Sequence, residues 1–125
     1  MLGDTKAFSG FAVDDLKKAR EFYGETLGIR IDSEGEMPLL TLQLAGDRPT
    51  LVYEKDDVVP ANYTILNFEV EDVEAAVDAL VERGVSFERY DGFPQDEKGI
   101  MRGQGPDIAW FKDPAGNILS VLKAD

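Results

Sequence analysis

The sequence contains no cysteine and no histidine. Their absence excludes disulfides, thiolate chemistry, zinc sites built from Cys and His, and acid–base or triad chemistry that depends on an imidazole. A bound metal would need oxygen ligands alone, which suit magnesium, calcium or manganese better than zinc or iron. The two missing residue types therefore remove many common enzyme chemistries before any motif is considered.

Long apolar runs are also missing. No stretch approaches the roughly 18 apolar residues of a membrane span, so we expect no membrane segment. Met1–Gly10 has no basic region followed by an apolar stretch, which predicts no secretory signal. We therefore expect a soluble, cytoplasmic protein.

Basic residues are scarce: 13 Lys and Arg stand against 25 Asp and Glu, for a net charge of −12. Such an acidic protein repels phosphate backbones, so we expect no nucleic-acid partner. The acids would attract a cationic small molecule to a cleft, or they simply keep the protein soluble. Gly103-Gln-Gly105 lacks the third glycine and the helix of a nucleotide-binding motif.

The 125 residues are enough for one domain with an apolar core, and the sequence within them is repeated. The segment Phe11–Ala19 and the segment Phe68–Ala76 share Phe, Val, an acid, Asp, a branched aliphatic residue and Ala at the same offsets. Each copy continues into a helical stretch that ends at a glycine, Gly28 or Gly84. We interpret the repeat as two halves of one domain, 1–125, with modules at about 1–56 and 63–125.

Each half is predicted to fold as βαβββ, which makes the class α+β. The helices begin after the acidic pairs at 14–15 and 71–72, which offer N-cap oxygens. Their apolar spacing predicts helices over about 16–27 and 73–81. The predicted strands are Lys6–Val13, Ile29–Ser33, Pro38–Leu44, Pro49–Glu54, Thr64–Val70, Ser86–Tyr90, Ile108–Lys112 and Ile118–Lys123.

Two segments carry a family resemblance. The run from Phe11 to Gly28, and the run from Ile108 through Asp113-Pro-Ala-Gly116-Asn117 to Val121, resemble the glyoxalase/bleomycin resistance protein/dioxygenase (vicinal oxygen chelate) superfamily. The resemblance implies a curved, cup-like mixed sheet with its helices outside, and pairing of modules in a homodimer. It leaves the function open, because this superfamily includes isomerases, dioxygenases and drug-sequestering proteins.

In this family the metal ligands are His, Glu or Gln. By motif alignment the ligand positions fall on Phe8, Val52 (or Glu54 two residues on), Ile65 and Ser120. At most one strong oxygen donor remains, whereas a divalent cation needs several. We therefore predict no metal and no cofactor.

Strand alternation predicts a mainly apolar cup with a few polar groups, as small-molecule pockets have. Glu69 and Glu54 are candidate general bases or simple rim carboxylates, and Asn67 is a candidate polar anchor. Trp110 is either packing or a platform for a planar ligand. The predicted ligand-binding residues are Phe8, Gly10, Val52, Glu54, Ile65, Asn67, Glu69, Phe93, Met101, Arg102, Trp110 and Ser120.

A long glycine-containing segment, Asp91–Pro106, separates two predicted strands. It is either a lid over the cup or a surface excursion that holds a short hairpin. If it is a lid, Phe93, Met101 or Arg102 would touch the ligand, and Arg102 could hold a carboxylate.

Three functions remain open. The first is a metal-independent binding protein that sequesters an apolar or cationic aromatic compound, as in antibiotic resistance. The second is a metal-independent enzyme, an isomerase, cyclase or hydrolase, with a Glu base. The third is a metal-dependent lyase or dioxygenase. The expected partners are a small-molecule ligand and a second copy of the chain, with no membrane.

Overall fold

The computed structural model describes residues 1–33 and 36–125. The chain divides into two compact units, Met1–Val59 and Pro60–Asp125. Each unit has one mixed β-sheet and one main helix, with four strands in the first sheet and three in the second. The predicted α+β class is therefore confirmed.

The first unit begins with a short 3₁₀ turn at Leu2–Asp4 and then forms its sheet in the order β1-β4-β3-β2. β1 runs parallel to β4, and the other neighbours are antiparallel. The elements are β1 (Ser9–Val13), α1 (Leu16–Arg20) with a π-helical continuation (Glu21–Thr26), β2 (Arg30–Ser33), β3 (Leu39–Leu44) and β4 (Arg48–Glu54).

The second unit repeats this order with one strand fewer, as β5-β7-β6. β5 is parallel to β7, and β6 is antiparallel to β7. The elements are β5 (Thr64–Val70), α2 (Val73–Glu82), β6 (Ile108–Lys112) and β7 (Ile118–Lys123). All three strands have the predicted bounds.

Both helices begin as their sequences predict. Asp15 accepts a hydrogen bond from the Lys18 amide, and Asp72 accepts one from the Ala75 amide. These side chains satisfy amides that lack a partner inside the helix. Past the helices, Gly28 and Gly84 have φ of 74° and 92°, the left-handed conformation that glycine adopts at low cost.

The strand predicted over Ser86–Tyr90 does not form. Phe87 makes one antiparallel bridge with Phe111, and the Glu88 amide donates to the Trp110 carbonyl at 2.8 Å. Beyond this contact the backbone is satisfied by a side chain: the Tyr90 amide donates to Gln95 Oε1 at 2.8 Å, and Gln95 Nε2 donates to the Glu88 carbonyl at 2.9 Å. The side-chain amide of Gln95 thus forms the hydrogen bonds that a neighbouring strand would otherwise form. At the other end of the chain, the strand predicted from Lys6 starts only at Ser9.

The register of the first sheet corrects the predicted facing of Val52 and Glu54. Val52 pairs with Phe11 and Leu40, and the Phe11 ring lies 5.6 Å from Tyr23 of the π-helical segment. Because in-register neighbours share a face, Val52 and Glu54 lie on the helix side of the sheet. Leu51 and Tyr53 point to the opposite face, because successive side chains of a strand alternate between the two faces of the sheet.

The second sheet buries one face against α2. Lys98, in the segment Asp91–Pro106, forms an ion pair with Asp78 of α2 at 2.9 Å, and Gly99 of the same segment lies against the Phe87 side chain. The Phe87 and Phe111 rings contact each other at a tilt, with centroids 5.4 Å apart, so the Phe111 side of the sheet faces the helix. On α2 and on the side of the sheet that faces it, the fully or nearly buried side chains are Val73, Val77, Ala109, Phe111, Leu119 and Val121.

Within the described parts of the chain, no helix is both long and apolar enough to cross a membrane.

Candidate functional site

The face of the second sheet opposite α2, here called the far face, carries a row of three paired side chains. Asn67 pairs with Ser120 across β5 and β7, and Ser120 pairs with Trp110 across β7 and β6. Ser120 Oγ donates to Asn67 Oδ1 at 2.6 Å. Ser120 and Trp110 are buried whereas Asn67 is exposed, so the row runs from the interior toward the surface.

Strand alternation explains why an indole lies on this face. Ala109 and Phe111, on either side of Trp110, point to the α2 side and are fully buried. Trp110 therefore points the other way. The sequence alone did not decide whether Ala109 or Trp110 shared the facing of Ser120, and the register with Ser120 settles it.

Three aromatic rings, here called the aromatic trio, meet on the far face. Tyr90 lies 5.6 Å from Trp110 and 5.6 Å from Phe93, and Phe93 lies 5.4 Å from Trp110, between ring centroids. The interplanar angles of 53° to 77° are tilted or edge-on, the geometry that the ring quadrupoles favour. Phe93 is the outermost ring, at 46% exposed, against 9% for Trp110.

The Tyr90 hydroxyl is buried, and no group of the described chain forms a hydrogen bond with it. Burial raises the pKa of the Tyr90 phenol, and the nearby Glu88 carboxylate raises it further. The phenol therefore keeps its proton at neutral pH and remains a hydrogen-bond donor.

Five predicted site residues lie on or beside the far face: Asn67, Glu69, Phe93, Trp110 and Ser120. Glu69 is exposed and pairs with Leu122. Ile65 is half-buried, at the irregularity in the pairing of β5 with β7.

The segment Asp91–Pro106 contains a short hairpin, with antiparallel bridges from Gln95 to Met101 and from Met101 to Ile108. Met101 is thereby attached to β6 by its backbone, and Ile100 is fully buried. Of the two interpretations of this segment, these contacts favour the surface excursion.

Arg102 does not meet the expectation of a cation that waits for a ligand carboxylate. Its guanidinium lies 3.1 Å from Asp107, 3.3 Å from Asp96 and 3.4 Å from Glu74 of α2. Three carboxylates of the same unit thus already occupy it. The sequence identified the cation, but which acids surround it depends on the hairpin and on α2.

The predicted site residues of the first unit range from exposed to fully buried. Phe8 is 68% exposed and precedes β1, and Gly10 packs so close to Leu51 that a Cβ there would lie 3.2 Å from the Leu51 carbonyl oxygen. Val52 is fully buried. Glu54 Oε2 accepts a hydrogen bond from the Leu16 amide at 3.0 Å, so this carboxylate serves the start of α1.

The residues at the family's ligand positions do not fit a metal ion. Phe8, Val52 and Ile65 have no donor atoms, Ser120 Oγ is bonded to Asn67, and Glu54 is bonded to a helix amide. Among the described residues, no three acidic side chains are grouped closely enough to share a cation.

The predicted ligand-binding residues omit Tyr90, which the sequence suggested only as a ring at the rim of the opening or as half-buried packing, and Gln95, which it did not suggest at all. Alternation along 86–90 offered a signal for Tyr90, since it places Tyr90 on the opposite side from Phe87. Nothing in the local sequence marks Gln95, because its role depends on backbone groups of residues 88 and 90 that the missing strand leaves unpaired.

Comparison with known proteins agrees with this architecture. The protein is 27% identical over 124 residues to the uncharacterized protein YraH of Bacillus subtilis (strain 168), with coverage of 89% of this chain and 91% of YraH. A glyoxalase family protein from Enterococcus faecalis superposes with a TM-score of 0.72 at 22% identity, covering 98% of this chain and 100% of that one.

A second solved structure, that of TnmS3, an antibiotic binding protein from Streptomyces sp. CB03234, superposes with a TM-score of 0.68 at 25% identity. The superposition covers 98% of both chains. The sequence model of the Glyoxalase/Bleomycin resistance protein/Dioxygenase superfamily matches residues 7–121. That match spans most of the chain, and the protein therefore belongs to this superfamily.

Proposed function

We propose that this protein binds an apolar or cationic aromatic small molecule on the far face without a metal ion, and thereby sequesters it. The observation that carries the proposal is the aromatic trio on the same face as the exposed Asn67, with Ser120 between Asn67 and Trp110. Rigid rings offer a large contact area at little entropic cost, and an amide on the same face can both donate and accept hydrogen bonds. Such a surface suits a planar ligand.

Two further observations support the proposal. A structural relative is an antibiotic binding protein of nearly the same length. The net charge of −12 favours a cationic over an anionic ligand. The residues at the ligand positions, which do not fit a metal, support the metal-free part of the proposal.

A Glu-based enzyme is less well supported. Glu54 is engaged by the Leu16 amide. Glu69 is exposed, whereas catalytic carboxylates are usually withdrawn from water. We also propose that the protein acts in antibiotic resistance, forms a homodimer and is located in the cytoplasm. Light scattering tests the proposed dimer.

Intrinsic fluorescence tests the proposal directly, because Trp110 is the only tryptophan. Chelator-treated protein is titrated with a panel of planar neutral and cationic aromatics, and separately with divalent metals. We expect several aromatics to quench Trp110 and to raise Tm by a few degrees, and metals to do neither. Selective stabilisation by one metal would contradict the metal-free proposal, and failure of every aromatic would contradict the binding proposal.

The matched variants are Phe93→Ala and Tyr63→Ala. Both remove an exposed ring of the second unit, 46% and 67% exposed respectively, but only Phe93 belongs to the aromatic trio. We expect Phe93→Ala to weaken binding about tenfold and Tyr63→Ala to leave it unchanged. Equal losses would place the site elsewhere.

A further inference from the structure

The Tyr90 hydroxyl is the one described side-chain polar atom that is buried and has no hydrogen-bond partner. Folded proteins rarely leave such a group unpaired, because the lost hydration is not replaced. When one persists beside a binding surface, a ligand atom that completes its bonding is a direct explanation. Here the hydroxyl belongs to a ring that contacts both Trp110 and Phe93.

We propose that the ligand is an aromatic molecule with a neutral hydrogen-bond acceptor on its ring system, such as a carbonyl, and that the Tyr90 hydroxyl donates to this acceptor. The inference rests on the proposed function and specifies its ligand class. It assigns Tyr90 a polar contact in addition to the stacking of its ring.

The electrostatics around Tyr90 disfavour an anionic acceptor. Glu88 lies close enough to disfavour the charged form of the phenol. Lys112 lies 3.5 Å from Glu88 and offsets part of that charge, but the protein as a whole is strongly acidic. A carboxylate at this position would meet the repulsion that a neutral carbonyl avoids.

Phe93 provides the route to the hydroxyl. Its backbone is fixed by two backbone hydrogen bonds. The Phe93 N–H donates to the Tyr90 carbonyl at 3.1 Å, and the Phe93 carbonyl accepts from the backbone N–H of Gln95 at 2.9 Å. Its half-exposed side chain can therefore rotate without displacing the chain. Rotation of this ring opens the space beside Tyr90 and Trp110 for an aromatic ligand, and the rotated ring then packs against that ligand.

The test uses two probes that differ only at one atom group: fluorenone, which has a ring carbonyl, and fluorene, which has a methylene there. Both carry the same alkylammonium group for solubility, and Trp110 fluorescence gives each affinity. Wild-type protein should bind fluorenone about three- to tenfold more tightly than fluorene. Tyr90→Phe keeps the ring and removes the donor, and should reduce this ratio to about one.

Tyr63→Phe is the control, because it removes a hydroxyl from an exposed tyrosine outside the aromatic trio and should keep the wild-type ratio. Equal wild-type affinities for the two probes would overturn the inference, as would a preference that survives in Tyr90→Phe. In either case binding itself would still support the proposed function. If no aromatic of the whole panel quenches Trp110, both proposals fail together.

Discussion

The two units of this protein have the same order of strands in their sheets, except that the second sheet lacks a counterpart of the edge strand β2. In the first unit, the strand after the helix, β2, pairs with β3 along its whole length, from Arg30 to Ser33. In the second unit the corresponding stretch makes a single bridge, between Phe87 and Phe111. The chain then turns into the hairpin segment Asp91–Pro106 rather than completing a fourth strand.

The difference explains how one copy of a repeated fold can carry the aromatic trio that we propose binds the ligand. In the first unit, backbone pairing fixes the edge of the sheet. In the second, the Gln95 side chain holds the carbonyl of Glu88 and the amide of Tyr90. The segment freed from the ladder carries Tyr90 and Phe93, two of the three rings in the aromatic trio.

The largest expected effect comes from truncating one buried side chain in each unit, on the side of the sheet that faces the helix. It compares how much the two units contribute to the free energy of unfolding. Phe111→Ala in the second unit should lower the free energy of unfolding by about 3–5 kcal/mol, and Leu42→Ala in the first by about 2–5 kcal/mol, because both side chains are fully buried. Urea denaturation measures both. A loss below about 1 kcal/mol for either variant would show that its unit contributes little to the measured transition.

The next prediction concerns the substitute for the missing strand. Gln95→Ala should lower the free energy of unfolding by about 1–3 kcal/mol, since it leaves backbone groups of Glu88, Tyr90 and Gly99 without their partner. Hydrogen exchange of the Tyr90 amide should accelerate. The control is Gln43→Ala on β3, which removes a hydrogen bond to the exposed Asp32 and should lower the free energy of unfolding by about 0.5 kcal/mol. Equal costs would remove the special role of Gln95.

The helix starts provide a third comparison. Asp72→Ala should cost about 1 kcal/mol through loss of the N-cap of α2. Asp15→Ala should cost less, because Glu54 holds another free amide, that of Leu16, at the start of α1. In a Glu54→Ala background, which removes this acceptor, the cost of Asp15→Ala should rise toward that of Asp72→Ala. Thermal denaturation of the four variants decides this.

The smallest expected effect is the pH dependence of the hairpin segment. Burial opposes the charged form of Asp96, but hydrogen bonds from the Ile100 and Lys98 amides and from Arg102 outweigh it and lower its pKa. The lowered pKa stabilises the fold above the ordinary Asp pKa of about 3.9, and this contribution is lost as the pH falls through the folded value. Asp96→Asn should flatten the stability profile below about pH 4. An unchanged profile would contradict the assignment.

The sequence predicted those parts of the fold that depend on residues close together in the chain. Alternation and turn residues predicted β5, β6 and β7 with the bounds that the structure has. The acidic pairs and terminal glycines predicted where the helices begin and end, because capping involves residues adjacent in the chain. The prediction of a strand over Ser86–Tyr90 was wrong, since a favourable strand sequence does not ensure that a partner edge is used along its length.

The site was predicted only in part for a related reason. Asn67, Trp110 and Ser120 were selected from the sequence and lie in one row on the far face. Val52 and Glu54 were assigned to the wrong face, because a shift of one residue in an aligned strand reverses the facing. Arg102 was taken as a free cation, although its three carboxylate neighbours come from the hairpin, from the residues after it and from α2.

The sequence by itself determined the repeat, the α+β class, the helix ends, and the absence of imidazole and thiol chemistry. Those features depend on composition and on interactions between near neighbours in the chain. Only the tertiary structure decided that Tyr90, Phe93 and Trp110 meet, that the Tyr90 hydroxyl finds no partner among the described residues, and that Gln95 replaces a strand. These features depend on which distant backbone and side-chain groups satisfy one another, and hydrophobic patterning does not encode that choice.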